Sequence, residues 1–345
     1  MPLFRNSFVV ISALLMSITL PRIYAADAVA ELGKFSVFEQ LDLNKLAGGK
    51  VLTARGPTLE SPRDLGVQAI YLVPVSLQKA VEQHRQWDPL RHPELKVYLH
   101  GDLSGKPGVS EFAKLGSAPD NRAVRAFAAA TQKLPNKGDL QLSNAEAQDF
   151  SKFTGGDSQR GNLPPAISAF WSHILAQRAA DFATRGLSSQ PPYDSGNQSA
   201  RVSDEVSRLL KEQPKIRAQF RGMVEQTPLG GGAGSLSPSL YWEMFDVEGE
   251  AAVSLGAAYT KEGTDSAQLV DMQYYASGGY FAFITLYQMW PITVNNKPAT
   301  LVWRGDSLSS LSLSELHGVE RMGSGAAMMK EVQKAINLLQ QDIAQ

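Results

Sequence analysis

A serine becomes a nucleophile only with a base in hydrogen-bond reach and a group that orients that base. Ser307, in the run Gly305-Asp306-Ser307-Leu308, is the residue most readily read this way. His317 is the one histidine downstream of it, with Glu315 two residues earlier, so these two would have to serve as base and orienter. No Gly-x-Ser-x-Gly run offers an alternative. The other histidines, His84, His92, His100 and His173, form neither a His-x-His nor a His-Glu-x-x-His spacing. No metal ligand set is therefore spelled out, and no cofactor is expected. Cysteine is absent, which excludes thiol catalysis and disulfides. Glu243, Asp246, Glu248 and Glu250 cluster along one short stretch. Paired carboxylates can do acid–base work, but such a stretch reads first as the wet face and turn of a hairpin. Asp271 and Arg304 fall on segments that a simple meander does not place side by side, so no ion pair is expected between them.

The elements that must position these residues centre on residues 268–306. Segments 269–275, 280–290 and 300–304 are dense in aromatic and β-branched residues. Ser277-Gly278-Gly279 and Asn295-Asn296-Lys297-Pro298 separate them, which predicts three antiparallel strands joined by tight turns. Residues 241–247 and 252–259 predict another hairpin turning at Glu248-Gly249. Residues 67–75 read as a strand buried on both faces, and 50–54 and 95–99 as shorter strands. Between 103 and 236 helical periodicity replaces the strand signals. The clearest helix is 164–185, with prolines in its first turn, Gly186 just past its end, and a stripe through Phe170, Trp171, Ile174 and Leu175. Residues 325–343 form an amphipathic helix with Met328, Val332, Ile336 and Leu339 on its apolar side. The fold class read from this order is α+β: an antiparallel sheet packed on a long C-terminal helix, with a mostly helical insertion. The divisions are a leader at 1–25, a lead-in at 26–66, a sheet body at 67–103 and 236–345, and the helical insertion at 104–235. One apolar interior, between sheet and terminal helix, is expected.

With 43% hydrophobic and 19% charged residues in 345, the composition is that of a folded chain. A net charge of −1 supplies no basic field, so nucleic acid is not an expected partner. Arg5 precedes an apolar run at 8–20 that Pro21 breaks, ahead of small residues at Ala25-Ala26. That is the layout of a secretory signal peptide, and the run is shorter than the roughly 20 residues a membrane span needs. The expected location is periplasmic or secreted, in a bacterium, with no transmembrane segment after cleavage.

Gly305-Asp306-Ser307-Leu308 resembles the nucleophile block of GDSL-type esterases, which would imply Ser307 as nucleophile; here the block follows the last predicted strand, and no Asp-x-x-His lies beyond it. The order of elements resembles the START-like, or helix-grip, superfamily over residues 67–103 and 236–345. That resemblance implies a curved sheet wrapped on the last helix with an apolar small molecule or lipid between them. The lining would be Tyr274, Phe283, Tyr287 and Trp303 from the sheet and Met328, Val332 and Ile336 from the helix. The leading functional expectation is accordingly a non-catalytic protein binding an apolar small molecule or lipid. The alternatives are a serine hydrolase acting through Ser307 and His317, and an envelope interaction protein that docks through its helical block.

Overall fold

In chain order, helices α1 (Ala25–Gly33) and α2 (Leu43–Ala47) precede strands β1 (Leu52–Arg55) and β2 (Asp64–Val73). Helix α3 (Leu77–Gln86) leads to β3 (Val97–Leu103). A helical segment follows: α4 (Arg122–Gln132), α5 (Asn144–Asp149), α6 (Pro165–Arg185), a small hairpin of β4 (Tyr193–Ser195) and β5 (Gln198–Ala200), then α7 (Val202–Lys211), α8 (Pro214–Gln219) and α9 (Arg221–Gln226). Strands β6 (Ser239–Val247), β7 (Glu250–Glu262), β8 (Ala267–Ala276), β9 (Ala282–Val294) and β10 (Lys297–Ser309) run as a meander, and α10 (Leu311–Glu315) and α11 (Gly318–Ala344) close the chain. The computed structural model describes residues 25–153, 163–195, 198–231 and 234–344. The leader expected at 1–25 therefore lies almost wholly outside the described residues.

The turns form where the residues permit positive φ. Glu248 and Gly249 (53° and 92°) join β6 to β7, and Asn295 and Asn296 (51° and 60°) join β9 to β10. Both central residues are left-handed in each case, the geometry whose twist matches a hairpin. The strands pair antiparallel throughout, in the order β1-β2-β10-β9-β8-β7-β6-β3. The fold is thus α+β, an antiparallel sheet packed with helices that include a long C-terminal one. Residues 305–308 lie within β10, not beyond the last strand as the sequence suggested.

Helices cover both faces of this sheet, so there are two apolar cores where one was expected. The helical segment and α1 bury one face, joining Phe127, Trp171, Phe182 and Phe220 to Trp242, Leu255, Tyr274, Trp290 and Trp303. Helices α3 and α11 bury part of the other, where Leu77, Ala80, Val81, Val332, Ile336 and Leu339 meet Val67, Ala69, Tyr71, Met289 and Val302. Two-sided burial explains why all of β2 is buried. The sequence reads that strand as buried on both faces, but the second core is not legible there, because a stripe on a helix names its own buried side but not its partner.

The sheet also curls toward α11. β2 and β3 are six places apart, which in a flat sheet would be roughly 29 Å at the usual strand spacing. Yet one loop reaches elements at both ends. Helix α11 lies on β1 and β2, and Trp87 Nε1 and His92 Nε2 bond Asp342 of α11 at 3.0 and 2.9 Å. The adjoining turn at Pro89–Arg91 packs on β3, and Asp88 is close enough to His100 of β3 to help raise its pKa. The α11 side is therefore the hollow side.

Packing of α11 is testable with one methyl group. Ile336, 1% exposed, truncated to Val should cost about 1 kcal/mol in urea unfolding. Val319, 78% exposed on the same helix, truncated to Ala should change stability by less than about 0.5 kcal/mol. Equal costs would mean that α11 does not pack as described.

Candidate functional site

Alternation along a strand sends every second side chain to one face. Beyond the part that α3 and α11 fill, the hollow face presents Glu243 and Tyr241 of β6, Asp271 and Gln273 of β8, Phe283, Thr285 and Tyr287 of β9, and Arg304 and Asp306 of β10. The register lines them up: Asp271 opposes Thr285, and Thr285 opposes Asp306, while Tyr287 opposes Arg304 and Gln273 opposes Phe283. Most of these side chains are half-buried. A polar row across strands whose neighbours are core is the feature of this chain that packing alone does not call for.

Its bonds run in sequence. Thr285 Oγ1 donates to Asp306 Oδ1 at 2.8 Å, and Arg304 Nε and Nη2 hold the same carboxylate at 2.7–3.0 Å. Tyr241 Oη donates to Asp271 Oδ1 at 2.7 Å. His100 Nδ1 sits 3.1 Å from Glu243 Oε1, and its ring stacks on Tyr241 at 5.8 Å. Gly256 makes room for the tyrosine: a Cβ there would fall 2.1 Å from Tyr241 Cζ, so the ring packs directly over this glycine of β7. At the other end His84 of α3 donates through Nδ1 to the Ala80 carbonyl at 2.6 Å. That fixes Nε2 as acceptor for the Tyr71 hydroxyl at 2.7 Å. The His84 ring also meets Tyr287 edge-on at 5.4 Å.

The titrations follow. Burial pushes the Asp271 carboxyl up to about 6, with the Tyr241 hydroxyl bond opposing and the nearby Glu243 adding to it. Burial pushes His84 down to about 4, so it is a neutral imidazole. The bond to Glu243 raises His100, against burial. Replacing Tyr241 by Phe removes the donor that favours the Asp271 carboxylate, so its pKa should move above 6. A carbon-13 NMR titration of the carboxyl carbons reads this, and an unchanged or lower value would refute the assigned bond.

Two clefts are present, and none of this row's side chains lines either of them. One of about 620 Å³ lies between α3 (Gln78, Glu82, Arg85) and the strand ends at Asp102, Ser239 and Glu262. Another of about 390 Å³ lies by Tyr98, Asn121 and Asp246. Neither is a closed apolar chamber.

The residues singled out from sequence divide between the faces. Tyr287, Met328, Val332 and Ile336 come together on the α11 side, and Phe283 shares that sheet face. Trp303 and Tyr274 point the other way. Trp303 donates to Gln68 Oε1 at 3.1 Å and packs on Phe35 and Phe220, and Tyr274 stacks on Phe182 at 3.8 Å. Ser307 faces the helical segment and accepts from Gln213 Nε2 at 2.9 Å, while His317 is exposed in the turn before α11. Among the described residues no histidine bonds Ser307, and no three His, Asp or Glu residues are placed to hold a metal. No helix among them is long and apolar enough to cross a membrane. Sequence reading did not join Asp271, Arg304, Glu243 and His84. The one signal for the three strand residues is a polar residue at every second position of aromatic strands, which reads equally well as a solvated face. Comparison of the chain with protein-family models, with curated proteins and with solved structures finds no match.

Proposed function

We propose that this chain is a non-catalytic binding protein, working in the periplasm or outside the cell, that holds a small organic molecule in the hollow of its sheet. The ligand has an apolar, ring-sized body and also hydrogen-bonding groups, in place of the purely apolar small molecule or lipid that the resemblance implied. One observation carries this: half-buried Asp271 bonds the neutral Tyr241 hydroxyl and no cation, among the rings of Tyr241, Tyr280, Phe283 and Tyr287. A buried carboxyl without a cation is costly, and natural chains keep such groups where they act. Beside α11 the expected apolar gap is occupied by Val332 and Ile336 packed with Val67, Ala69 and Tyr71, so a ligand belongs further along the face.

The test is extraction of purified full-length protein followed by mass spectrometry, with wild type and Phe283→Asp side by side. A co-purifying molecule present in wild type and lost in the variant is expected. An empty wild type that shows no amide shifts at Tyr241, Asp271 or Phe283 across a fragment screen would overturn the reading.

A further inference from the structure

We infer that the molecule received by this recess is an organic cation, an ammonium or alkylated amine on a ring-sized apolar body. This rests on the reading of the recess as a binding site and adds the ligand's charge. The charges of the recess are paired with one exception. Arg304 is committed to Asp306, whose carboxylate is fully shielded from solvent. His100 answers Glu243. Asp271 hydrogen-bonds only a neutral hydroxyl, and Arg304, though near enough to lower its pKa, spends its own bonds on Asp306. An anion would meet Asp271 and Glu243 with no free guanidinium to offset them. A neutral ligand would bury Asp271 without a partner, which is costly. A cation supplies the missing partner, and it also gains from rings, whose faces attract an ammonium within about 6 Å.

The rings are at hand. Tyr280 lies 5.9 Å from Phe283 and 6.3 Å from Phe245, and Tyr287 takes the Arg304 guanidinium at 5.5 Å from its centroid, so a ring of this face already holds one cation. A second, independent feature sits in the same face. Ser254 alternates with Val253 and Leu255, which belong to the opposite core, and is the strand partner of Glu243. It is fully buried with no bond to its hydroxyl, a polar atom in the floor that the protein leaves unanswered.

Calorimetry on the full chain with three probes of one size decides the matter: benzyltrimethylammonium, benzyl alcohol and benzoate. At pH 8 the cation should bind about tenfold more tightly than the alcohol, and benzoate least. Asp271→Asn keeps the shape and an acceptor for Tyr241, and should bring the cation to the level of the alcohol. Affinity for the cation should fall about tenfold between pH 8 and pH 5 as Asp271 takes up a proton. The other groups facing Asp271 agree in sign or stay silent. His100 beside Glu243 loses its positive charge as pH rises, Arg304 and the tyrosines Tyr241, Tyr280 and Tyr287 do not change charge over this range, and His84 is neutral until near pH 4. Equal binding of cation and alcohol, or a preference for benzoate, overturns the inference while leaving the recess a binding site. Failure of all three probes also overturns it, and extraction of the native protein then decides separately whether the recess binds anything.

Discussion

Arg208→Ala lowers the unfolding free energy by about 3–5 kcal/mol, the usual effect of stranding buried charge. The guanidinium stands where α7 meets the ends of β2 and β10. Its Nε and Nη2 fork onto Asp64 at 2.8 Å each, and Nη2 also bonds Glu205 and Ser309. The Asp64 side chain is 0% exposed and that of Glu205 3%, so water cannot replace what the substitution removes. Arg63, 3.1 Å from Glu205, remains and serves only that one carboxylate. Two controls separate stranded charge from lost packing. Adding Asp64→Asn and Glu205→Gln to the variant should recover much of the loss. The deficit of Arg208→Ala should also shrink from pH 7 to pH 4. Burial opposes the charge on Glu205, but Arg208, Ser309 and Arg63 hold its pKa below the usual carboxylate value. Its stabilisation is therefore present above the unfolded pKa and lost as pH falls, and without Arg208 there is less to lose. A deficit independent of pH in urea unfolding would show that the cluster is held by shape alone.

That cluster also shows what could be read in the chain. Strands β6 to β10, their turns and α11 were legible because side-chain period and turn chemistry are local properties. Asp64, Arg208 and Ser309 were not, since their meeting depends on which sheet face the helical segment covers. The candidate site failed to emerge for the same reason. Glu243, Asp271 and Arg304 alternate with core residues as solvent-facing residues do. Only the curl, forced when the loop at Trp87–His92 bonds α11 while packing on β3, turns that wet face into a hollow. Trp303 was assigned to this side because rings suggest a lining, yet its strand neighbours Val302 and Arg304 point to the hollow, and alternation sends Trp303 away.

Asp271→Asn should raise stability at pH 8 by about 2–3 kcal/mol and leave it unchanged at pH 4. The folded pKa of about 6 stands above the ordinary carboxyl value of 3.8, a gap worth about 3 kcal/mol at 1.36 kcal/mol per unit. A raised folded pKa contributes stability that is complete below the unfolded pKa and lost as pH rises through the folded one, so wild type bears the full cost above pH 6. Wild type alone will not display it. His84, lowered from 6.5 to about 4, has the opposite sign: its stabilisation is present above 6.5 and lost as pH falls toward 4. The two cover nearly the same window and offset each other, so their contributions to the wild-type profile largely cancel there, where either group alone would slope. The difference between Asp271→Asn and wild type removes the histidine from the comparison, and urea unfolding at pH 8 and pH 4 measures it. A variant less stable than wild type at pH 8 would make Asp271 a structural residue, and the recess would lose its claim to a ligand. A variant more stable at pH 8 that no longer binds would show the opposite: that this chain gives up stability to keep a charge where only a ligand can use it.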